Sequence, residues 1–176
     1  VVPSSIHDLY VARGKGECGG FTVPAINVRG PSYEVSRAIF RAARRLKAGA
    51  FIFELARTES KYTDQPPAEF VAVIVAAALR EAFEGPIFVQ GDHFQVNPKK
   101  YAKTYPDLEI QGLRDFCREA IAAGYYNIDL DASTLVDLSM PNVREQQRAN
   151  FEATASLAAY VRSLEPEGIT VSLGGE

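Results

Sequence analysis

The sequence predicts an α/β fold: the first four and a half units of a (β/α)8 TIM barrel, as a single incomplete domain over residues 1–176. Three observations predict it. Strand-like and helix-like segments alternate along the whole chain, in the order (βα)4β, which calls for a parallel sheet with right-handed crossovers. Each strand-like segment ends in a polar residue, as barrel strands do where they build a site. The last segment, ending Leu173-Gly174-Gly175-Glu176, is a strand with no helix after it.

Each element has its own signal. Val23–Asn27 is a short β-type run after Gly19-Gly20. Ser32–Lys47 reads as a helix with Ser32 able to cap, Glu34 in the first turn, Arg44, Arg45 and Lys47 in the last, and Gly49 closing it. Phe51–Leu55 is the second strand. Pro66–Phe83 is the second helix, opened by proline and followed by Gly85; its Val71–Leu79 stretch is apolar nearly all round and expected to pack deeply. Pro86–Asp92 is the third strand, and Asn97–Asp107 a polar loop carrying Lys99, Lys100 and Lys103. Leu108–Ala123, stopped by Gly124, is the third helix, Tyr126–Asp131 the fourth strand, Asn142–Leu164 a long helix and Ile169–Leu173 the fifth strand. Ser4–Arg13 reads as an extra helix ahead of these units. There is no sequence repeat or low-complexity linker.

An open flavodoxin-like sheet also fits this element order. The uncovered fifth strand and the polar strand ends favour the half-barrel. Its strands should lie in sequential order, and the natural protein should run on by about 100 residues or more, since such barrels need about 250.

Composition removes several function classes. Net charge is −3 and the isoelectric point is near 5.5, so nucleic acid, which wants a basic face, is not an expected partner. The longest apolar run, Phe70–Leu79, is ten residues. A bilayer needs roughly 20, and no membrane is expected. Cys18 and Cys117 form no CxxC pattern, which points to a reducing cytoplasm rather than to disulfides.

The strand ends hold Asn27, Glu54, Asp92, Asp131 and Glu176. In the fourth strand Asn127, Asp129 and Asp131 share one face by period two, unusual where parallel strands are normally apolar on both sides. Gly91-Asp92-His93 is the sharpest local feature. Histidine is the commonest metal ligand and a frequent acid–base group, and of His7 and His93 only His93 follows a strand. An aspartate and histidine at an ordinary loop start read the same way locally. On a continuing strand the two would point to opposite faces, so a shared site requires the strand to end near Asp92. One histidine does not complete a catalytic zinc site, which uses about three protein ligands.

The pattern Val23-Pro24-Ala25-Ile26-Asn27, Gln90-Gly91-Asp92-His93-Phe94, Asn127-Ile128-Asp129-Leu130-Asp131-Ala132-Ser133 and Leu173-Gly174-Gly175-Glu176 resembles the first, third, fourth and fifth strands of class II fructose- and tagatose-bisphosphate aldolases, over the whole chain. Those strands read vPAfN, HxDHG, vmiDgS and vExElG. The sequence departs from them at Gln90, Phe94 and Gly174, and Ala56 stands where the family commonly has serine. The resemblance implies cleavage or formation of a C–C bond in a ketose phosphate or bisphosphate, giving dihydroxyacetone phosphate and an aldehyde through a metal-stabilised enediolate. It implies Asp92 as the acid–base group and His93, Asp131 and Glu176 as ligands of Zn2+ or another divalent metal. Asn27 and Ser133 would meet a phosphorylated sugar substrate, in a cytoplasmic homo-oligomer of carbohydrate metabolism. Arg57 and the three loop lysines are local cations for a phosphate, or an ordinary solvated surface. Two other readings remain. One is a non-catalytic, aldolase-like barrel subunit with a structural or regulatory role, of which Gln90, Phe94 and Ala56 would be the marks. The other is an open-sheet small-molecule binding domain.

Overall fold

The structure is a computed structural model and describes residues 2–103, 106–164 and 166–175. In chain order the elements are β1 (Pro3–Ser4), α1 (His7–Gly14), β2 (Ala25–Asn27), α2 (Ser32–Leu46), β3 (Ile52–Ala56), α3 (Arg57–Tyr62), α4 (Pro67–Arg80), β4 (Ile87–Gln95), α5 (Pro98–Lys103), α6 (Pro106–Ala123), β5 (Asn127–Asp131), a 3-10 turn (Ser133–Leu135), α7 (Val143–Gln146), α8 (Arg148–Arg162) and β6 (Thr170–Leu173).

All strands are parallel and β2-β3-β4-β5-β6 lie side by side in sequential order, with β1 pairing the start of β4. The expected spatial order of the five main strands is therefore the observed one. Among the described residues the sheet does not close on itself; β2 and β6 are its two ends.

The helices cover one face. There Phe53 and Leu55 of β3, Val89 of β4, and Ile128 and Leu130 of β5 pack against Phe40 of α2, Ile74 of α4, Leu113 and Cys117 of α6 and Leu157 of α8, all fully or nearly fully buried. Phe40, Phe51, Phe53 and Phe83 add tilted and edge-on ring pairs 4.8–5.9 Å apart, the offset geometry that aromatic quadrupoles prefer. The opposite, inner face is apolar only at its N-terminal end, where Ile6, Ala50, Ile52 and Phe88 form a small second cluster. Asn127, fully buried, ties that end together: its Oδ1 accepts from Ile6 N at 2.9 Å and its Nδ2 donates to Val89 O at 2.9 Å. Its share of the polar face of β5 is thus structural.

Several boundaries differ from the sequence expectation. Ser32 does not cap α2; Pro31 precedes the helix, and the Ser32 hydroxyl pairs with Gln65 Oε1 at 2.7 Å. Lys47, at φ +55°, ends that helix before Gly49 is reached. The loop expected over Asn97–Asp107 contains α5, whose first turn is capped by Asn97 Oδ1 accepting from Lys99 N and Lys100 N. The long helix expected over Asn142–Leu164 is two, α7 and α8, meeting at Gln147. Within α4, Val71, Ile74, Ala77 and Ala78 are buried as expected, but Leu79 is exposed.

The largest difference lies in β4. It does not stop at Asp92 but runs to Gln95 through a bulge: Gly91 pairs with Ile128 and Phe94 with Leu130, so Asp92 and His93 together stand opposite Asp129. The extra residue shifts the alternation of the strand by one. Phe94 therefore joins the helix-side core, while Asp92 and then Gln95 point inward. Gly91 accommodates the shift: the Phe94 ring folds back over it, into the space a Cβ would fill.

Candidate functional site

The inner face becomes polar toward the C-terminal ends of β2 to β5, and the bulge is what concentrates it. His93 is held at φ +41°, a left-handed conformation that only a few per cent of non-glycine residues adopt. Strained backbone of this sort tends to persist at working sites. In that conformation the imidazole lies among three carboxylates: Nε2 is 3.7 Å from Asp92 Oδ1, and Nδ1 is 3.9 Å from Asp129 Oδ2 and 3.3 Å from Asp131 Oδ2. Asp92 and His93 thus reach one site, although the strand continues past them. The condition set by simple alternation, that the strand should stop at Asp92, is met instead by an inserted residue.

Burial draws the charged imidazole toward neutrality, but Asp92, Asp129 and Asp131 outweigh it and the His93 pKa is raised. Burial raises the Asp92 carboxyl too; His93 and a hydrogen bond from Asn27 oppose this, Asp129 and Glu59 add to it, and the net direction is up. Asp131 goes the other way. It is fully buried, yet Oδ1 accepts from Ser133 N at 2.8 Å and Ser133 Oγ at 2.6 Å, and Oδ2 accepts from Gln95 Nε2 at 2.8 Å, which holds the carboxylate below its usual range. Glu54, one strand over, is pushed up to about 7 by burial and by Asp92, against the stabilising hydrogen bond from Gln90 Nε2 at 3.1 Å.

The expected site residues divide as follows. Asn27, Asp92, His93 and Asp131 come together at the strand ends. Ser133 sits beside them as the partner of Asp131. Glu176 lies outside the described residues, as does the side chain of Lys103. Two participants were not among the candidates for this site. Asp129 joins Asp92 and His93 in a group whose ligand atoms all lie within 4.8 Å of one another. Glu59, buried at the start of α3, organises the neighbouring corner: Oε2 accepts from Asn27 Nδ2 at 2.5 Å and from Ala56 N at 3.0 Å, and Oε1 pairs with Arg29. These donors overcome burial and lower its pKa. Period-two spacing from Asp131 signalled Asp129; nothing in the local sequence signalled the role of Glu59, because its side-chain partners Asn27 and Arg29 are about 30 residues away.

A cleft of about 490 Å3 lies between α3 and the segment following β4, with Asp92 and His93 in its wall. Arg57, Lys61, Asn97, Lys100 and Glu109 line it as well.

No protein-family model and no curated protein sequence matches the chain. Among solved structures the chain is similar to a probable tagatose 6 phosphate kinase from Sinorhizobium meliloti 1021, with a TM-score of 0.63 and 23% sequence identity. The match covers 89% of this chain and 39% of that protein, so the chain spans about two fifths of its neighbour's length. The likeness is one of fold: an α/β architecture on a parallel sheet. No helix among the described residues is long and apolar enough to cross a membrane.

Proposed function

We propose that the chain forms part of a (β/α)8 barrel and contributes to a metal-dependent aldolase site acting on a phosphorylated sugar. The observation that carries this reading is the bulge in β4, which spends backbone strain to gather Asp92, His93 and Asp129 at the C-terminal end of the sheet. The resemblance of the strand motifs to class II aldolases supports it. So does a structural neighbour whose name refers to a sugar phosphate, although that name describes a kinase.

The donor set fits a divalent cation of intermediate hardness: one imidazole nitrogen and carboxylate oxygens, at spacings a single ion can bridge. His93 and Asp129 would hold it, and it would supply Lewis-acid polarisation of a carbonyl oxygen. Asp131 Oδ2 lies 3.3 Å from His93 Nδ1; with the neutral ring donating there, Nε2 would be the nitrogen left for a metal, a common arrangement behind a metal-binding histidine. Asp92, with its raised pKa, is suited to taking and returning a proton at the substrate hydroxyl. Asn27 donates to Glu59 and to Asp92, which leaves its amide oxygen as the group it would offer to the substrate.

The experiment pairs metal analysis with cleavage of a ketose bisphosphate by the longest natural form of the protein. His93→Ala should lose both metal and activity. Asp92→Asn should keep metal and lower turnover about 10²–10⁴-fold, the usual worth of a positioned acid or base. A parent protein that binds no divalent metal and cleaves no ketose phosphate would leave the non-catalytic barrel subunit as the reading. Gln90, whose amide is committed to Glu54 in place of a second imidazole, is the observation favouring that alternative.

A further inference from the structure

The cleft is lined by two chemically different groups. Asp92 and His93 form one; Arg57 and Lys61 of α3 with Lys100 of α5 form the other. The acids nearby do not cancel these cations equally. Glu59 is engaged by Arg29, Asn27 and the Ala56 amide. Glu109, whose side chain is 4% exposed, pairs with Arg57 at 2.7 Å and also accepts from Asn97 N at 3.2 Å, tying together the start of α3, the segment after β4 and α6. Neither Lys61 nor Lys100 has an acidic partner among the described residues. Two uncompensated ammonium groups therefore share the cleft with a guanidinium that a buried carboxylate holds in place. Arginine has five N–H donors, and Glu109 takes one by the hydrogen bond seen here.

We propose that this cationic wall of the cleft is a subsite for a phosphate monoester, gripped by Lys61 and Lys100 and oriented by Arg57. The inference deepens the reading of the cleft as a sugar-phosphate site and rests on it for the identity of the reacting end. A phosphate monoester carries close to two negative charges at neutral pH and several strong acceptor oxygens, which matches two lysines and one planar donor group. The cleft volume of about 490 Å3 leaves room for a short polyol between the phosphate and His93.

The test titrates the full chain at low ionic strength with inorganic phosphate, glycerol 3-phosphate and glycerol, followed by calorimetry and by phosphorus NMR. The two phosphates should bind saturably at one site, with affinity falling as salt is raised, and glycerol should not bind. The Lys61→Met/Lys100→Met double variant should weaken phosphate binding at least about 10-fold, the loss expected for removing charge-assisted hydrogen bonds. Lys99→Met changes a neighbouring lysine outside the cleft lining, and should leave binding unchanged. Circular dichroism of each variant checks that the fold is intact. Absence of saturable phosphate binding, or equal losses in the double variant and Lys99→Met, would overturn the subsite. Zinc titration of the same proteins separates the two ideas: phosphate binding without metal binding removes the aldolase reading and leaves the subsite, while cleavage of an unphosphorylated ketose at full rate does the reverse.

Discussion

Glu54 stands on the inner face of β3 between Gln90 and the Asp92 carboxylate, and its surroundings favour the neutral acid. With a folded pKa of about 7 against an ordinary 4.5, the folded protein takes up a proton that the unfolded chain has released. The stability this confers is full below pH 4.5 and is lost as pH rises through about 7. Glu54→Gln, which cannot ionise, should therefore be nearly neutral at pH 5. At pH 8 it should stabilise the protein by about 1–2 kcal/mol, after discounting for the partial solvation of the site. Urea denaturation of both proteins at the two pH values checks this; equal differences at both would mean that Glu54 is ionised without penalty. Asp131, only two strands away, shows how little distance such contrasts need. Fully buried, it is nonetheless held as a carboxylate, because four donors surround it where Glu54 has one resolved side-chain donor.

At the level of the element, the bulge in β4 depends on Gly91 as much as on His93. The Phe94 ring occupies the volume in which a Cβ at position 91 would stand, and the ring is itself wedged against Phe116, 4.9 Å between centroids. Gly91→Ala should force the ring out of the core and cost about 1–3 kcal/mol, the usual range for overpacking. It should also displace Asp92 and His93, so that any divalent-metal affinity drops with stability; thermal melts and metal titration read the two effects. The alternation of elements, the parallel order of the strands and the clustering of Asn27, Asp92, His93 and Asp131 were all legible in the sequence, because each follows from local periodicity and from the rule that sites form at strand ends. The bulge was not. Whether a strand stops or inserts a residue is decided by register against its neighbours, here Ile128 and Leu130, and by where a large ring such as Phe94 finds space. Glu59 was missed for a related reason: its partners Asn27 and Arg29 meet it only once β2 and β3 pair.

Over the molecule as a whole, the helix-side core and the polar inner face are set apart by the sheet, and they share a constraint in the parity of β4. Counting through that strand with one residue removed shows what the insertion does. If His93 were deleted, Gly91 would still face the helices, Asp92 would still face inward, Phe94 would follow directly and face the helices, and Gln95 would face inward toward Asp131. Every core contact would keep its partner, and a residue at φ +41° would be gone. A chain lacking His93 should therefore fold, with a thermal midpoint equal to or above that of the parent, and should bind no divalent cation through this group; a melting curve and a metal titration test both halves. Deleting Phe94 instead should collapse the fold, since the helix side loses a ring. His93 is in this sense a guest in a strand that is complete without it. A lineage could discard or regain the chemistry by a single codon, leaving the architecture untouched.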